Sequence, residues 1–342
     1  MINLSLYEDI EELMKRGNLE DAENELIRVK QKGICDDKYF SMYALLNICM
    51  KDYKKAIKAC QVALQINIDN SKVYFLLGII SERQKSYNMA YIYYEHAEYL
   101  AKKDEQDLSA LESFCQSEED EFANVEVKAL SIVLIANNNI DYTKIALESI
   151  KRYNNKNTYE IVVVDYNSTD KTKAWLSRQK GIKVVTISEE RGLLSAFNEG
   201  LLKIGLENDV LLLTNDCLVL PNSILNLRLA LYRDKETGAV GPISNRGDKI
   251  QLSEVKCENF GAYVDFASKN NIYNKEVHKG TQTLSNFAFL IKGEVLIKVG
   301  LLNEKFTTEI AAKDDFKIKI PMHEYGMLIC RDSFVYRIGN DS

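Results

Sequence analysis

The sequence lacks the cysteine and histidine groupings that commonly hold structural metals. Its 342 residues include 7 cysteines and 3 histidines. The cysteines stand singly with no CxxC pair, and the histidines (His96, His278 and His323) show no ligand-like spacing. Neither a zinc site nor a disulfide framework is therefore indicated. We expect the cysteines to be small, buried apolar residues.

Long apolar runs and clusters of basic residues are also missing. No run approaches the ~20 apolar residues of a membrane span, and the amino terminus is acidic from its eighth residue, unlike a signal peptide. We therefore expect a cytoplasmic protein without an integral membrane segment. The net charge is -6 and the lysines are scattered, so no nucleic-acid partner is expected.

The first hundred residues are predicted to be helical and repetitive. Small residues recur 34 positions apart, as do the bulkier residues that precede them (Ala22, Ala56 and Ala90; Leu19, Tyr53 and Tyr87). The third unit, around Gly78 and Tyr94, most closely resembles a tetratricopeptide repeat. Such repeats stack into a solenoid that can hold a peptide or partner protein. The alternative is that three repeats only cap or dimerise the neighbouring domain.

An acidic segment without glycine or proline follows these repeats. Part of it, LSALESFC, is compatible with a short capping helix, whereas SEEDEF is typical of a solvated connector. The sequence thus predicts helical repeats over residues 1–103, a linker over 104–127 and a second domain over 128–342.

The second domain opens with a strand, helix, strand, helix, strand pattern. Short apolar runs at 130–136, 160–165 and 209–214 suit strands buried on both faces. Segments 143–153 and 172–180, which lie between these runs, have helical spacing. This βαβαβ order predicts an α/β fold with a mostly parallel sheet. Ligands of such sheets bind at the carboxyl ends of the strands, where this sequence places polar residues.

Six motifs in this domain carry a family resemblance. They are SIVLIANNN, the SI of ALESI, EIVVVDYNSTD, RGLLSAFNEG, LLLTNDCLVLP and GAVGP. Their order and spacing resemble those of family 2 glycosyltransferases with the GT-A fold, over residues 128–342. The later segment FAFLIKGEVLIKVGLLNEKF is similar to the acceptor-side segment of the family, although Asn303 stands where an aspartate is usual.

The resemblance implies a nucleotide-sugar donor, preferably of the UDP type, and a set of donor-binding residues. Those residues are Ala136, Asn138, Asp165, Arg191, Gly192, Asn198 and Asn215. Asp216 lies in the "DxD" region of the family and is the implied ligand of Mn²⁺ or Mg²⁺, which prefer oxygen ligands. The other interpretation of the DYNSTD segment is structural, with Ser168 or Asp170 capping the following helix.

The acceptor side departs from the family pattern. Family 2 enzymes usually take their general base from an "ED" pair, but here Ala312 and Lys313 occupy that position. Asp314, one residue later, or Asp315 is the implied base.

The late histidine of the family is missing too, and Tyr336 or Arg337 stands in its place. Two hypotheses follow from these departures. The chain is either an active transferase, with a protein acceptor recruited by the repeats, or a catalytically degenerate GT-A protein that serves as a nucleotide-sugar-binding or protein-interaction scaffold.

Overall fold

The computed structural model describes residues 4–115, 125–188, 192–205, 207–303 and 319–339. Their contacts divide the chain into two compact units, Met1–Val127 and Lys128–Ser342. No helix within the described ranges is long and apolar enough to cross a membrane.

The first unit is helical throughout its regular structure. Its helices are α1 (Leu4–Lys15), α2 (Leu19–Gln31), α3 (Asp37–Cys49), α4 (Tyr53–Ile66), α5 (Ser71–Arg83), α6 (Tyr87–Lys103) and the short α7 (Ser109–Glu112). The prediction of a helical region from residue 4 to about 103 is therefore confirmed.

The 34-residue period corresponds to pairs of helices. Leu19, Tyr53 and Tyr87 begin α2, α4 and α6. One turn later in each helix comes a fully buried alanine (Ala22, Ala56 and Ala90). A Cβ atom at Gly78 would lie 2.4 Å from the ring of Tyr94, so this crossing of α5 and α6 requires a glycine. The repeat is thus visible in the packing, and its assignment as a tetratricopeptide repeat stays a prediction.

The second unit is built around one sheet with helices between its strands. The strands are β1 (Leu130–Ala136), β2 (Tyr159–Tyr166), β3 (Lys183–Ile187), β4 (Asp209–Thr214), β5 (Cys217–Leu218), β6 (Thr237–Ser244), β7 (His278–Thr281), β8 (Ala288–Ile291) and β9 (Gly326–Arg337). The helices are α8 (Ile140–Tyr153), α9 (Thr172–Leu176), α10 (Leu193–Leu201), α11 (Ser223–Leu231), α12 (Phe260–Asn270) and α13 (Gly293–Val299).

The sheet is mixed. Its strand order is β3-β2-β1-β4-β8-β6-β9-β5, with β7 paired to β9. The first four strands are parallel, as predicted, whereas β8 is antiparallel to both β4 and β6. The sequence did not predict the direction of β8. Its apolar run AFLI is compatible with a parallel or an antiparallel strand.

Close packing holds α10 against the parallel strands. A Cβ atom at Gly200 would lie 2.3 Å from Val133 on β1 and 3.1 Å from Val164 on β2. The glycine of the RGLLSAFNEG motif therefore lets the helix approach the sheet. The helix predicted over 172–180 is shorter than expected and ends at Leu176.

Candidate functional site

Three neighbouring strands bring the predicted donor residues to one edge of the sheet. Ala136, the last residue of β1, is in register with Asp165 on β2. On the other side of β1, the backbone N–H of Asn215 donates to the carbonyl of Ile135 at 3.0 Å. Because the three strands are parallel, Asp165, Asn215 and Asp216 meet at their carboxyl ends. The structure thus brings together residues that are up to 80 positions apart in the sequence.

Asp165 is a buried carboxylate with an unsatisfied oxygen. The residue is 1% exposed, and Oδ1 has no hydrogen-bond partner within the described ranges. Burial raises the pKa of this carboxyl, against hydrogen bonds from Ser168 and the charge of Lys173, which lower it. A buried acceptor without a donor is costly and marks a functional-site candidate. Asp165 therefore offers an acceptor to a ligand N–H or O–H.

The loops that follow β1 and β2 are tied together through Asn138. This residue has a positive φ of 54°, which asparagine tolerates better than most residues. Its N–H donates to Ser168 Oγ at 2.9 Å, and its Oδ1 accepts from the N–H of Thr169 at 2.8 Å. Asp170 adds a further link, because it accepts from the N–H of Ile140 at 3.2 Å.

The structure therefore shows a positioning role for Asn138, whose predicted contact with a nucleoside stays a prediction. The capping interpretation of Asp170 agrees with a second bond, from the N–H of Thr172 at 2.9 Å.

Asn215 connects the third strand to the same loop. Its Nδ2 donates to the carbonyl of Asn138 and to Thr143 Oγ1, both at 3.0 Å. These bonds fix the orientation of the amide.

Asp216, the predicted metal ligand, forms an ion pair with Arg337. Nη2 and Nε of Arg337 lie 2.7 and 2.9 Å from Asp216 Oδ2. Thr214 Oγ1 donates to the other carboxylate oxygen, Oδ1. Both side chains of the ion pair are about one-fifth exposed.

This donor set does not fit a divalent cation. Both oxygens of the Asp216 carboxylate are engaged, and a guanidinium balances its charge. Within the described ranges, the one cluster of three histidine, cysteine or acidic groups with metal-like spacing is His278, Cys330 and Asp332. That cluster does not include Asp216. The assignment of Asp216 as a metal ligand remains an untested prediction, which the geometry does not favour.

Gly192 and Asn198 have structural contacts of their own. Gly192 has a φ of 86°, and its N–H donates to the hydroxyl of Tyr166 at 2.8 Å. The motif glycine therefore stands directly before α10 in a conformation that favours glycine. The buried Asn198 donates to the carbonyl of Leu302 at 2.8 Å and accepts from its N–H at 2.9 Å. Donor binding by these two residues stays a prediction, and Arg191 lies outside the described residues.

The acceptor-side predictions cannot be placed. Asp314 and Asp315, as well as Ala312 and Lys313, lie outside the described residues. Their assignment as general base, or as its replacement, stays a prediction.

From the sequence, either Tyr336 or Arg337 stands at the position of the family's late histidine, and the contacts of these two residues differ. Arg337 reaches Asp216, whereas the ring of Tyr336 packs against Phe260 and Tyr263 with centroids 5.1 and 5.2 Å apart. Sequence reasoning missed Asn245, which holds the backbone of Arg337 on both sides. No signal in the sequence marks this contact, because it joins residues 92 positions apart.

The second unit is similar in sequence to a known family. The family model for "Glycosyl transferase family 2" matches residues 131–299. No curated protein matches the sequence.

Two solved structures illustrate the similarity. One is the crystal structure of GalNAc-T7 with UDP, GalNAc and Mn²⁺, at 16% identity and a TM-score of 0.49, with 63% of this chain and 44% of that chain covered. The other is the mannosyltransferase PcManGT from Pyrobaculum calidifontis in complex with GDP-Man and Mn²⁺, at 19% identity and a TM-score of 0.43, with coverage of 62% and 57%. The chain thus spans about half the length of the structures it matches.

The second unit is a mixed α/β sheet domain with polar residues gathered at the carboxyl ends of its parallel strands. Residues 131–299 are similar to glycosyl transferase family 2. An all-helical region precedes them in the chain.

Proposed function

We propose that the chain is a glycosyltransferase that moves a sugar from a nucleotide-sugar donor to an acceptor. The observation that carries this proposal is the buried carboxylate of Asp165, whose Oδ1 lacks a donor at the carboxyl end of β2. The imino N–H of a uracil base is a donor of the required kind, since a charge-assisted hydrogen bond would satisfy that oxygen. A UDP-type donor is therefore favoured.

The ribose and the diphosphate of the nucleotide sugar are proposed to lie along the strand ends in the order β2, β1, β4. With the base at Asp165, the ribose lies over Ala136 and the loop of Asn138. The diphosphate then points toward Asn215 and Asp216, which follow β4. This orientation follows the rule that ligands of open α/β sheets lie beyond the carboxyl ends of the strands. It also places the departing phosphate beside the guanidinium of Arg337, which pairs with Asp216.

The proposed transfer needs no step through a metal ion. Mn²⁺ or Mg²⁺ would supply charge neutralisation of the diphosphate if bound at Asp216. The carboxylate of Asp216 is already bonded to Arg337 and Thr214. In the proposed reaction, the chain's own residues hold the base and the diphosphate.

A protein acceptor is proposed because the helical region has a 34-residue repeat with fully buried small residues at Ala22, Ala56 and Ala90. Repeats of helix pairs present extended surfaces to polypeptides. If the repeats recruit the acceptor, the full-length enzyme should show a lower KM for a polypeptide acceptor than a chain without the repeats. Donor hydrolysis should be the same in both, because it does not use the acceptor.

The second candidate is a catalytically degenerate protein that binds a nucleotide sugar or a partner as a scaffold. It is favoured by the residues at the "ED" position, Ala312 and Lys313. A protonated lysine cannot accept the proton of an attacking hydroxyl. In this case the donor binds and no sugar is transferred.

A panel of nucleotide sugars separates the two candidates. Purified full-length protein is titrated with UDP-, GDP- and dTDP-sugars by calorimetry, and release of the nucleoside diphosphate is followed by chromatography. The transferase is supported by tight binding of one donor class together with slow hydrolysis. Binding without hydrolysis or transfer supports the scaffold. Absence of binding to every donor overturns the transferase and the nucleotide-sugar-binding scaffold, and leaves only a scaffold for a protein partner.

A further inference from the structure

We infer that the guanidinium of Arg337, assisted by Arg246, takes the place of a divalent cation at the diphosphate of the donor, so that donor binding and transfer are independent of metal. This inference rests on the proposed function. It follows from an occupied carboxylate and from two arginines at the same end of the sheet.

The position of Arg337 is fixed by the backbone. Strand β9 pairs with β5 so that Arg337 is in register with Cys217, and the N–H of Ile338 donates to the carbonyl of Asp216 at 2.8 Å. The side chain of Asn245 accepts from the N–H of Arg337 at 2.7 Å and donates to its carbonyl at 3.1 Å. The backbone of Arg337 is therefore held at the end of the sheet from both sides.

The guanidinium itself is also held in place. Nε and Nη2 bond to Asp216 Oδ2, and Cζ lies 5.0 Å from the centroid of the Phe287 ring. A guanidinium has five N–H donors in a planar fork. The bonds to Asp216 use Nε and Nη2, so Nη1 can donate to a phosphate oxygen while the ion pair stays intact.

A second guanidinium lies at the same strand end. Arg246 Nη1 donates to the carbonyl of Ile338 at 3.2 Å. It also fills the space next to Gly339, where a Cβ atom would lie 1.7 Å from Nη1. Residue 339 has a φ of 140°, so both its backbone conformation and the adjacent arginine require a glycine.

The charges of these groups match those of a metal site. Arg337, Arg246 and Asp216 together carry one net positive charge, as a divalent cation with one carboxylate does. Preorganised cations stabilise the charge that develops on a departing diphosphate. Arginine also forms charge-assisted, often bidentate hydrogen bonds to phosphate oxygens.

The transfer step balances without a metal. An oxygen of the acceptor forms a bond to C1 of the sugar, and the bond between C1 and the diphosphate oxygen breaks. The electron pair of that bond stays on the diphosphate, which gains negative charge beside Arg337. The proton of the acceptor hydroxyl leaves to a general base, for which Asp314 is the predicted residue.

The experiment measures the binding of UDP and GDP to the full-length chain by calorimetry, in EDTA and in Mn²⁺. We expect the wild type to bind a nucleoside diphosphate in EDTA and to change its Kd by less than about twofold in Mn²⁺. Arg337→Met, which keeps an unbranched side chain and removes the guanidinium, should weaken this binding by about 10- to 100-fold, as expected for loss of hydrogen bonds to a charged group. Binding of the nucleoside alone should be unchanged.

The matched control is Arg331→Met on the same strand, β9. Arg331 lies 3.7 Å from Glu254 and has no role in the proposed site, so this variant should bind the diphosphate as the wild type does. Arg337→Lys tests the fork geometry, with an expected Kd between those of the wild type and Arg337→Met. Arg337→His, which leaves an imidazole beside Asp216, should gain Mn²⁺-dependent tightening.

Two results would overturn the inference. Wild-type binding or turnover that disappears in EDTA and returns with Mn²⁺ would do so while leaving the proposed transferase intact. This comparison needs no variant, so it does not depend on the folding of any substitution. Absence of diphosphate binding under both conditions would overturn the inference and the proposed function together.

Discussion

The substitution Asp165→Asn separates binding from stability. It keeps the shape of the side chain and removes the charge that Oδ1 offers at the end of β2. A hydrogen bond to a charged group contributes about 1.5–3 kcal/mol, so the Kd for uridine or a UDP-sugar should rise by about 10- to 100-fold. Calorimetry on the full-length chain measures this change.

The same substitution should not destabilise the fold. Burial raises the pKa of Asp165, so its ionisation opposes folding once the pH exceeds the ordinary value of 3.8. The variant should therefore unfold at the same or a higher denaturant concentration than the wild type at pH 7. This advantage should diminish as the pH falls toward 4. Unchanged nucleotide affinity would refute our account of Asp165.

Asp170→Asn is the matched control on the same loop. Although burial alone would raise the pKa of Asp170, hydrogen bonds from Thr172 and Ile140 lower it overall. Its ionisation therefore stabilises the fold above the ordinary pKa, and this stability is lost as the pH falls through the lowered pKa. The variant should unfold at a slightly lower denaturant concentration than the wild type at pH 7, because asparagine keeps the capping hydrogen bonds and loses only the charge. An equal loss in both variants would show that the two carboxylates have the same role.

Three further predictions concern the core, its pH dependence and the acceptor side. Burial raises the pKa of Asp209 to about 6, although a hydrogen bond from Tyr232 lowers it. The folded state therefore holds the proton more tightly than the unfolded state, and the free energy of unfolding falls as the pH rises from about 4 to about 6. The loss is about 3 kcal/mol, and Asp209→Asn should remove this dependence in urea titrations. Gly200→Ala should cost about 1–3 kcal/mol, because its methyl group would overlap Val133, and an unchanged melting temperature would contradict the packing. Asp314→Asn should reduce kcat by about 10²- to 10⁴-fold at constant donor Kd, and unchanged kcat would remove Asp314 as the base.

The sequence predicted the strands and the repeat well because their signals are local. The runs that became β1, β2 and β4 are continuous and apolar, and their buried positions agree with a sheet covered on both faces. The 34-residue period was visible because the same small residues recur where helices cross. By contrast, the antiparallel direction of β8 depends on chain crossovers that no local pattern encodes.

The details of the site were harder to predict because they depend on contacts between distant residues. Asp216 looked like a metal ligand in its local motif, whereas the Arg337 that neutralises it is 121 positions away. Asn138 and Asn198 stood in binding motifs, but the structure shows their amide groups bonded to neighbouring backbone. Motif position alone does not distinguish a residue that binds a ligand from one that positions the loop around it.

The most direct test of the proposed donor site is a crystal structure of the full-length chain with a bound nucleoside diphosphate. Our account predicts the base N–H within hydrogen-bond distance of Asp165 Oδ1 and the diphosphate beside Arg337, at the carboxyl ends of β1, β2 and β4. A nucleotide bound anywhere else on the second unit would contradict the account.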